Sequence, residues 1–191
     1  YAQRYNADGS VNGAEFPVNT YTSSSQYSPS TTALNDGGFV ITWQSDNQDG
    51  SGSGIYAQRY NADGSVNGAE FPVNTYTSSS QYSPSTTALN DGGFVITWQS
   101  DNQDGSGSGI YAQRYNADGS VNGAEFPVNT YTSSSQYSPS TTALNDGGFV
   151  ITWQSDNQDG SGSGIYAQQY QYNSGLVITD GNENRIRLWQ L

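Results

Sequence analysis

The residues with the most chemical character lie in Ser45-Asp46-Asn47-Gln48-Asp49-Gly50-Ser51, a run that returns at positions 100–106 and 155–161. Calcium takes several hard oxygen ligands from a flexible loop, and glycine allows the sharp turn such a loop needs. On an Asp-x-Asp-x-Asp-Gly template Ser45 takes the first place, Asn47 the third and Asp49 the fifth, with Gly50 next. The first carboxylate is missing, and no acid closes the loop at the twelfth place. The candidate cation ligands are therefore Asp46, Asn47 and Asp49, with Asp101, Asn102 and Asp104, and Asp156, Asn157 and Asp159. They point to Ca²⁺ as the one cofactor. The alternative is a solvated hairpin loop, since Asp, Asn, Gly and Ser are ordinary turn formers.

Aromatic residues are the second candidate set. Fifteen tyrosines and four tryptophans are many for a chain that is 32% hydrophobic. Aromatic rings stack on sugar faces, and neighbouring Asn, Gln and Asp supply sugar hydrogen bonds. Trp43, Trp98 and Trp153 sit on the most apolar strand and are expected in the core. Tyr21 and Tyr27, with their copies Tyr76, Tyr82, Tyr131 and Tyr137, lie in Ser/Thr-rich segments and are the better ligand contacts. Arg4, Arg59 and Arg114 are the only cations of their copies and suit an ion pair between units or a stack on tyrosine.

Composition removes several chemistries. The 191 residues include no Cys, Met, His or Lys. There is thus no disulfide or thiolate, no imidazole base and no Schiff-base amine. Five Arg against seventeen acids give net charge −12, a poor match to phosphates, so nucleic acid is not an expected partner. No apolar run approaches a membrane span, so no membrane insertion is expected. The missing initiator Met points to a mature fragment or a segment of a longer product. Paired carboxylates can hydrolyse glycosides. Catalysis usually needs one asymmetric site, however, and identical repeats offer equivalent ones. The sequence expectation is no enzyme.

These residues must be positioned by a repeat. Residues 1–55, 56–110 and 111–165 are identical letter for letter, and 166–191 form a divergent partial copy or cap. Such identity marks recent duplication, homogenisation by recombination, or consensus design. Each copy carries one Arg against five acids, about −4. Four strands are expected per unit. Residues 30–34 lead through Asn35-Asp36-Gly37-Gly38, a hairpin signal, into 39–44. Phe39, Ile41 and Trp43 share one face of that strand and Val40 and Thr42 the other, so it is central and covered on both sides. Residues 55–60 form the third strand, 61–64 a turn, and 70–74 the fourth, where Pro72 suits a sheet edge. Residues 75–85 are expected to cross to the next unit. In the tail, 175–179 and 185–189 read as strands around a turn at 180–184.

Four-stranded units at constant period predict an all-β, propeller-like fold, with an open β-repeat array or solenoid as the alternative. One chain holds about 3.5 units, short of the 4–8 blades of a ring. Its ends are therefore expected to pair, in a ring, in paired half-rings or in a filament.

The succession GGFVITWQS, then DGSGSGIYAQRY, then NADG and EFPVNT resembles tandem repeats of large secreted bacterial proteins of the RTX and adhesin-like kind, over residues 1 to about 170. The resemblance implies a secreted, extracellular or cell-surface propeller-like module with adhesive or scaffolding use. The glycine-rich nonapeptide of RTX calcium rolls is absent. The combined expectation is a non-enzymatic structural or adhesive repeat protein, with itself as partner, assembling through its ends or repeated faces. The alternative is a multivalent carbohydrate-binding, lectin-like module with surface glycans as partners.

Overall fold

The computed structural model of the chain describes residues 1–171. The strands expected at 175–179 and 185–189, and the turn between them, lie outside the described residues. Among those described there is no helix, so none is long and apolar enough to cross a membrane.

The chain folds into three antiparallel meanders. The first sheet is β1 (Gln26–Ala33), β2 (Phe39–Asp46), β3 (Ser53–Tyr60) and β4 (Val66–Pro72), in that order. The second repeats it as β5 (Gln81–Ala88), β6 (Phe94–Asp101), β7 (Ser108–Tyr115) and β8 (Val121–Pro127). The third holds β9 (Gln136–Ala143), β10 (Phe149–Asp156) and β11 (Ser163–Tyr170). Each complete sheet straddles a repeat boundary of the sequence, which falls inside its third strand. The first strands begin earlier than expected, so residues 81–85 belong to β5 and not to the crossing segment.

Local chemistry sets the turns. At 34–38 the Leu34 amide donates to the Gly38 carbonyl at 2.8 Å, and Asp36 Oδ1 accepts the Gly38 amide at 2.8 Å. Gly37 takes φ +83°, which glycine adopts without steric cost. A Cβ on Gly38 would overlap the Tyr60 carbonyl oxygen of β3, so this turn requires its second glycine too.

The alternation along β2 decides how sheets stack. Leu34, Val40, Ile55, Ala57 and Val73 of the first sheet pack on Phe94, Ile96, Trp98, Tyr111 and Tyr115 of the second. Leu89, Val95, Ile110, Ala112 and Val128 pack in the same way on Phe149, Ile151 and Trp153 of the third. The Val/Thr face of one copy thus covers the Phe/Ile/Trp face of the next, and Trp43, Trp98 and Trp153 are core residues. Each fully buried aliphatic contributes about 1.5–3 kcal/mol, against roughly 1 for a typical hydrogen bond, so apolar burial dominates each joint. Inside the joint Thr42 Oγ1 and Thr86 Oγ1 pair at 2.7 Å, whereas the buried indole nitrogens of Trp98 and Trp153 have no hydrogen-bond partner.

Successive sheets come closest at their first strands, β1 with β5 and β5 with β9, so the sheets fan outward from a shared inner edge. Among the described residues no strand pairs across sheets, as a solenoid would require, and no sheet closes on itself. The fold is all-β, repeated and propeller-like.

Residues 1–18 form a hairpin with bridges at Ala2–Phe16 and Tyr5–Val11. Ala2, Phe16 and Val18 pack on Ile41, Trp43, Tyr56 and Tyr60. Phe16 meets Tyr60 at 5.5 Å as Phe71 meets Tyr115 at 5.6 Å, so the hairpin stands where the third and fourth strands of a preceding sheet would stand.

Candidate functional site

Two polar clusters recur in register with the sheets. The first lies at the inner edge. Asp46 ends β2 and Tyr27 is the second residue of β1, paired with Gln44 across the ladder. A bulge over Ser28 and Pro29, with Ser28 at φ +52°, separates Tyr27 from the rest of the strand. The Tyr27 hydroxyl donates to Asp46 Oδ2, and the Ser53 hydroxyl donates to Asp46 Oδ1 at 2.5 Å. In the third sheet Tyr137 and Ser163 both donate to Asp156, and in the second Ser108 donates to Asp101 at 2.6 Å. The Tyr27 phenol is held above its ordinary pKa, first by the hydrogen bond to Asp46, then by burial and the Asp46 charge, with a contribution from neighbouring Tyr82. The carboxyl of Asp156 is held below the usual range by its bonds from Ser163 and Tyr137. Tyr27 is 40% exposed, and Tyr82 and Tyr137 are half-buried. The first strands being neighbours, these tyrosines and carboxylates form an arc along one rim of the fan.

The second cluster sits under the β2–β3 loop. Glu70 of β4 accepts the Gln48 side-chain amide at 2.5 Å, and the backbone and hydroxyl of Thr20 at 2.6 and 3.0 Å. Glu125 repeats this with Gln103 and Thr75. Tyr56 is pushed up to about 12, chiefly by burial and then by the charges of Asp49 and Glu70, with half-buried Tyr21 also nearby. Tyr76 stands in the same relation to Tyr111, and Tyr131 to Tyr166.

The structure divides the expected cation ligands between these clusters. Asp46, Asp101 and Asp156 face the rim, where serine and tyrosine hydroxyls use their oxygens. Asn47, Asn102 and Asn157 take φ near +58° to shape the turn, and the Asn47 amide donates to the Gly52 carbonyl at 2.5 Å. Asp49, Asp104 and Asp159 each accept the amide two residues ahead. Gln48 Oε1 and Asp49 Oδ2, with Gln103 Oε1 and Asp104 Oδ2, are buried oxygens without a donor. Among the described residues no three acidic side chains come together. The pairing of Tyr27 with Asp46, nineteen positions apart, is invisible to motif reading; Pro29 inside a strand is the one signal of the bulge beside it.

The arginines bridge units. Arg59 donates from Nη2 to the Ala117 carbonyl at 2.8 Å and from Nη1 to the Asp118 carbonyl of the next sheet, while Asp36 lies 3.5 Å away in its own sheet. Arg4 makes the same bonds from the hairpin to Ala62 and Asp63.

The stacked sheets and their rim define the class of repeated, propeller-like all-β folds. No protein-family model matches the chain, and no curated protein sequence matches it. Solved structures do. An endo-arabinase from Bacteroides thetaiotaomicron matches with TM-score 0.54 and 16% identity, over 88% of this chain and 64% of that one. A protein of unknown function from Dyadobacter fermentans matches with TM-score 0.54 and 12% identity, over 75% and 50%. A thermostable family-43 glycoside hydrolase matches with TM-score 0.51 and 13% identity, over 80% and 56%. The chain therefore spans half to two-thirds of the length of these proteins. These likenesses correct the expectation of no enzyme. An endo-arabinase and a family-43 hydrolase are built on this same β-propeller-type fold, so repeated sheets do not argue against catalysis.

Proposed function

We propose that the chain is a carbohydrate-binding, propeller-like module whose ligand lies along the inner rim. The observation that carries this reading is the recurring phenol–carboxylate set of Tyr27 with Asp46 and Tyr137 with Asp156, with Tyr82 and Asp101 at the equivalent place between them. A tyrosine ring offers an apolar face to the C–H side of a sugar. A carboxylate accepts the sugar's hydroxyl donors, and charge-assisted bonds of this kind are stronger than neutral ones. Spacing the sets one sheet apart suits an oligosaccharide or a clustered glycan surface, where weak sites gain by avidity. Two of the proteins that share the fold are named as an arabinase and a glycoside hydrolase, which is consistent with a saccharide ligand.

The test is a glycan array followed by titration calorimetry, with Tyr82→Ala and Asp101→Asn at the central set. Binding by the parent chain and a tenfold or larger loss in each variant supports the rim. No binding to any saccharide at millimolar concentration sinks the reading. Assaying the bound glycans for released reducing ends tells binding from hydrolysis.

A further inference from the structure

The bulge in each first strand decides which face its tyrosine occupies. Beyond the bulge Ser30 stands opposite Thr42, and an unbroken ladder from there would set Tyr27 opposite Ser45 and Gln26 opposite Asp46. The ladder instead sets Tyr27 opposite Gln44 and Gln26 opposite Ser45, so Ser28 and Pro29 together face Trp43. The strand thus carries one residue more than its partner. A shift of one residue moves a side chain to the other face of a sheet. Unbulged, the tyrosine would share the face of Trp43 and Ser45. Bulged, it shares the face of Thr42, Gln44 and Asp46, where its hydroxyl meets the carboxylate. The other sheets repeat the shift, with Tyr82 opposite Gln99 and Tyr137 opposite Gln154.

The register is pinned on both sides of this surplus residue. On the C-terminal side, Ser30 Oγ accepts the Thr86 amide at 3.1 Å and Ser85 Oγ accepts that of Thr141 at 3.3 Å. On the N-terminal side, Gln81 and Gln136 are fully buried, and their Oε1 atoms accept the side-chain amides of Asn74 and Asn129, each at 2.9 Å. Those asparagines in turn accept the amides of Ile55 and Ile110 from the preceding sheet, at 2.7 and 2.6 Å. Neither half of the strand is free to slide, so the extra residue must leave the ladder. Ser28, Ser83 and Ser138 do so at φ +52°, +51° and +54°, a left-handed backbone that few residues besides glycine and asparagine enter readily. Such strain persists only where the surroundings over-determine it. The proline that follows has no amide to leave unpaired in the broken ladder.

We propose that Ser28, Ser83 and Ser138 are the positioning residues of the rim. Each accepts the left-handed backbone that carries its tyrosine across to the carboxylate face. None needs to touch a ligand, because each acts through the tyrosine beside it. Without the bulge the glutamines would stand opposite the carboxylates, and the rim would have no phenol to set beside them. What the phenol–carboxylate pair binds rests on the saccharide reading; how the pair is made does not.

The experiment uses the full chain, which has no cysteine of its own. Cysteines directly opposite on neighbouring strands lie within reach of a disulfide. Tyr27→Cys with Gln44→Cys therefore reports the bulged register, and Tyr27→Cys with Ser45→Cys the unbulged one. Under mild oxidation the 27–44 pair should close and the 27–45 pair should stay reduced. Adding Ser28→Gly or Ser28→Asn should leave that pattern unchanged, because both residues tolerate a positive φ. Adding Ser28→Val should stop the 27–44 pair from closing, because a branched side chain resists that backbone. Calorimetric titration with a saccharide bound by the parent then compares chains changed at all three serines. The glycine and asparagine chains should bind within about threefold of the parent, and the valine chain about tenfold or more weakly, with far-UV dichroism unchanged. Closure of the 27–45 pair in the parent overturns the proposal. So does a 27–44 pair that still closes with Ser28→Val, parent-like binding by the valine chain, or a loss in the glycine and asparagine chains equal to that in valine. If the triple valine chain does not fold, the single Ser28→Val cross-link decides. If the parent binds no saccharide, the saccharide reading fails and the cross-links still judge the positioning.

Discussion

At the scale of single residues, the tyrosines govern how the protein responds to pH. Tyr56, Tyr111 and Tyr170 are pushed up to about 12, in each case first by burial; at Tyr56 and Tyr111 nearby carboxylates add to it. A phenol in the unfolded chain ionises near 10. The folded state therefore holds these protons more tightly. Their contribution is fully present below pH 10 and is lost as pH rises from 10 to 12. From neutral pH the denaturant midpoint should hold up to pH 10 and fall steeply above it, with the last part of the 295 nm tyrosinate signal appearing only as far-UV dichroism is lost. A tyrosinate signal that reaches its full amplitude near pH 10 with the fold intact would show that these rings are not enclosed. The rim has the opposite character. The Tyr27–Asp46 pair is partly exposed, so neutralising the carboxylate should change ligand binding far more than stability.

At the scale of elements, the joints between sheets set the stability, and their polar bonds can be ranked. Arg59 is buried, at 6% exposure, and satisfies two carbonyls of the next sheet, whereas Arg4 makes equivalent bonds from an exposed hairpin. Arg59→Ala removes a buried side chain that packs in the joint as well as its bonds to Ala117 and Asp118, and should cost about 1–3 kcal/mol. Arg4→Ala should cost less than about 1 kcal/mol, because water replaces its donors. Paired thermal melts of the two variants check this, and equal losses would mean that the joint does not enclose Arg59. The strands themselves were legible in sequence. The Asn-Asp-Gly-Gly turns and the alternation of Phe39, Ile41 and Trp43 against Val40 and Thr42 place the hairpins and mark a central strand covered on both faces. The joints were not. They rest on contacts from 44 residues apart, Thr42 with Thr86, to 59 apart, Arg59 with Asp118, and no local pattern encodes such a distance. The frame of the copies misled as well: a repeat read from residue 1 begins at a third strand, so each sheet is split across a copy boundary. The rim escaped for a related reason. The calcium template joins Asp46 to its sequence neighbours, while the fold turns it toward Tyr27 and Ser53.

At the scale of the molecule, identical copies make the chain a one-dimensional array in which each sheet touches only its neighbours. Stability in such an array is a sum of unit terms and joint terms. Residues 56–110 run from within the third strand of one sheet, through its fourth strand and the first two strands of the next sheet, to the start of that sheet's third strand. Inserting one further 55-residue copy after residue 165 therefore adds one whole sheet and one whole joint and leaves both ends as they are. Each added joint encloses the same ten or more apolar side chains that hold the existing sheets together, so the added sheet is stabilised as they are. The longer chain should thus have a higher urea midpoint. Its m-value should rise in proportion to the added surface, because m follows the area exposed on unfolding. An unchanged m-value would mean that the copies melt one by one as separate beads, which these shared cores do not permit. A single transition with a larger m-value identifies the stacked joint as the unit of cooperativity.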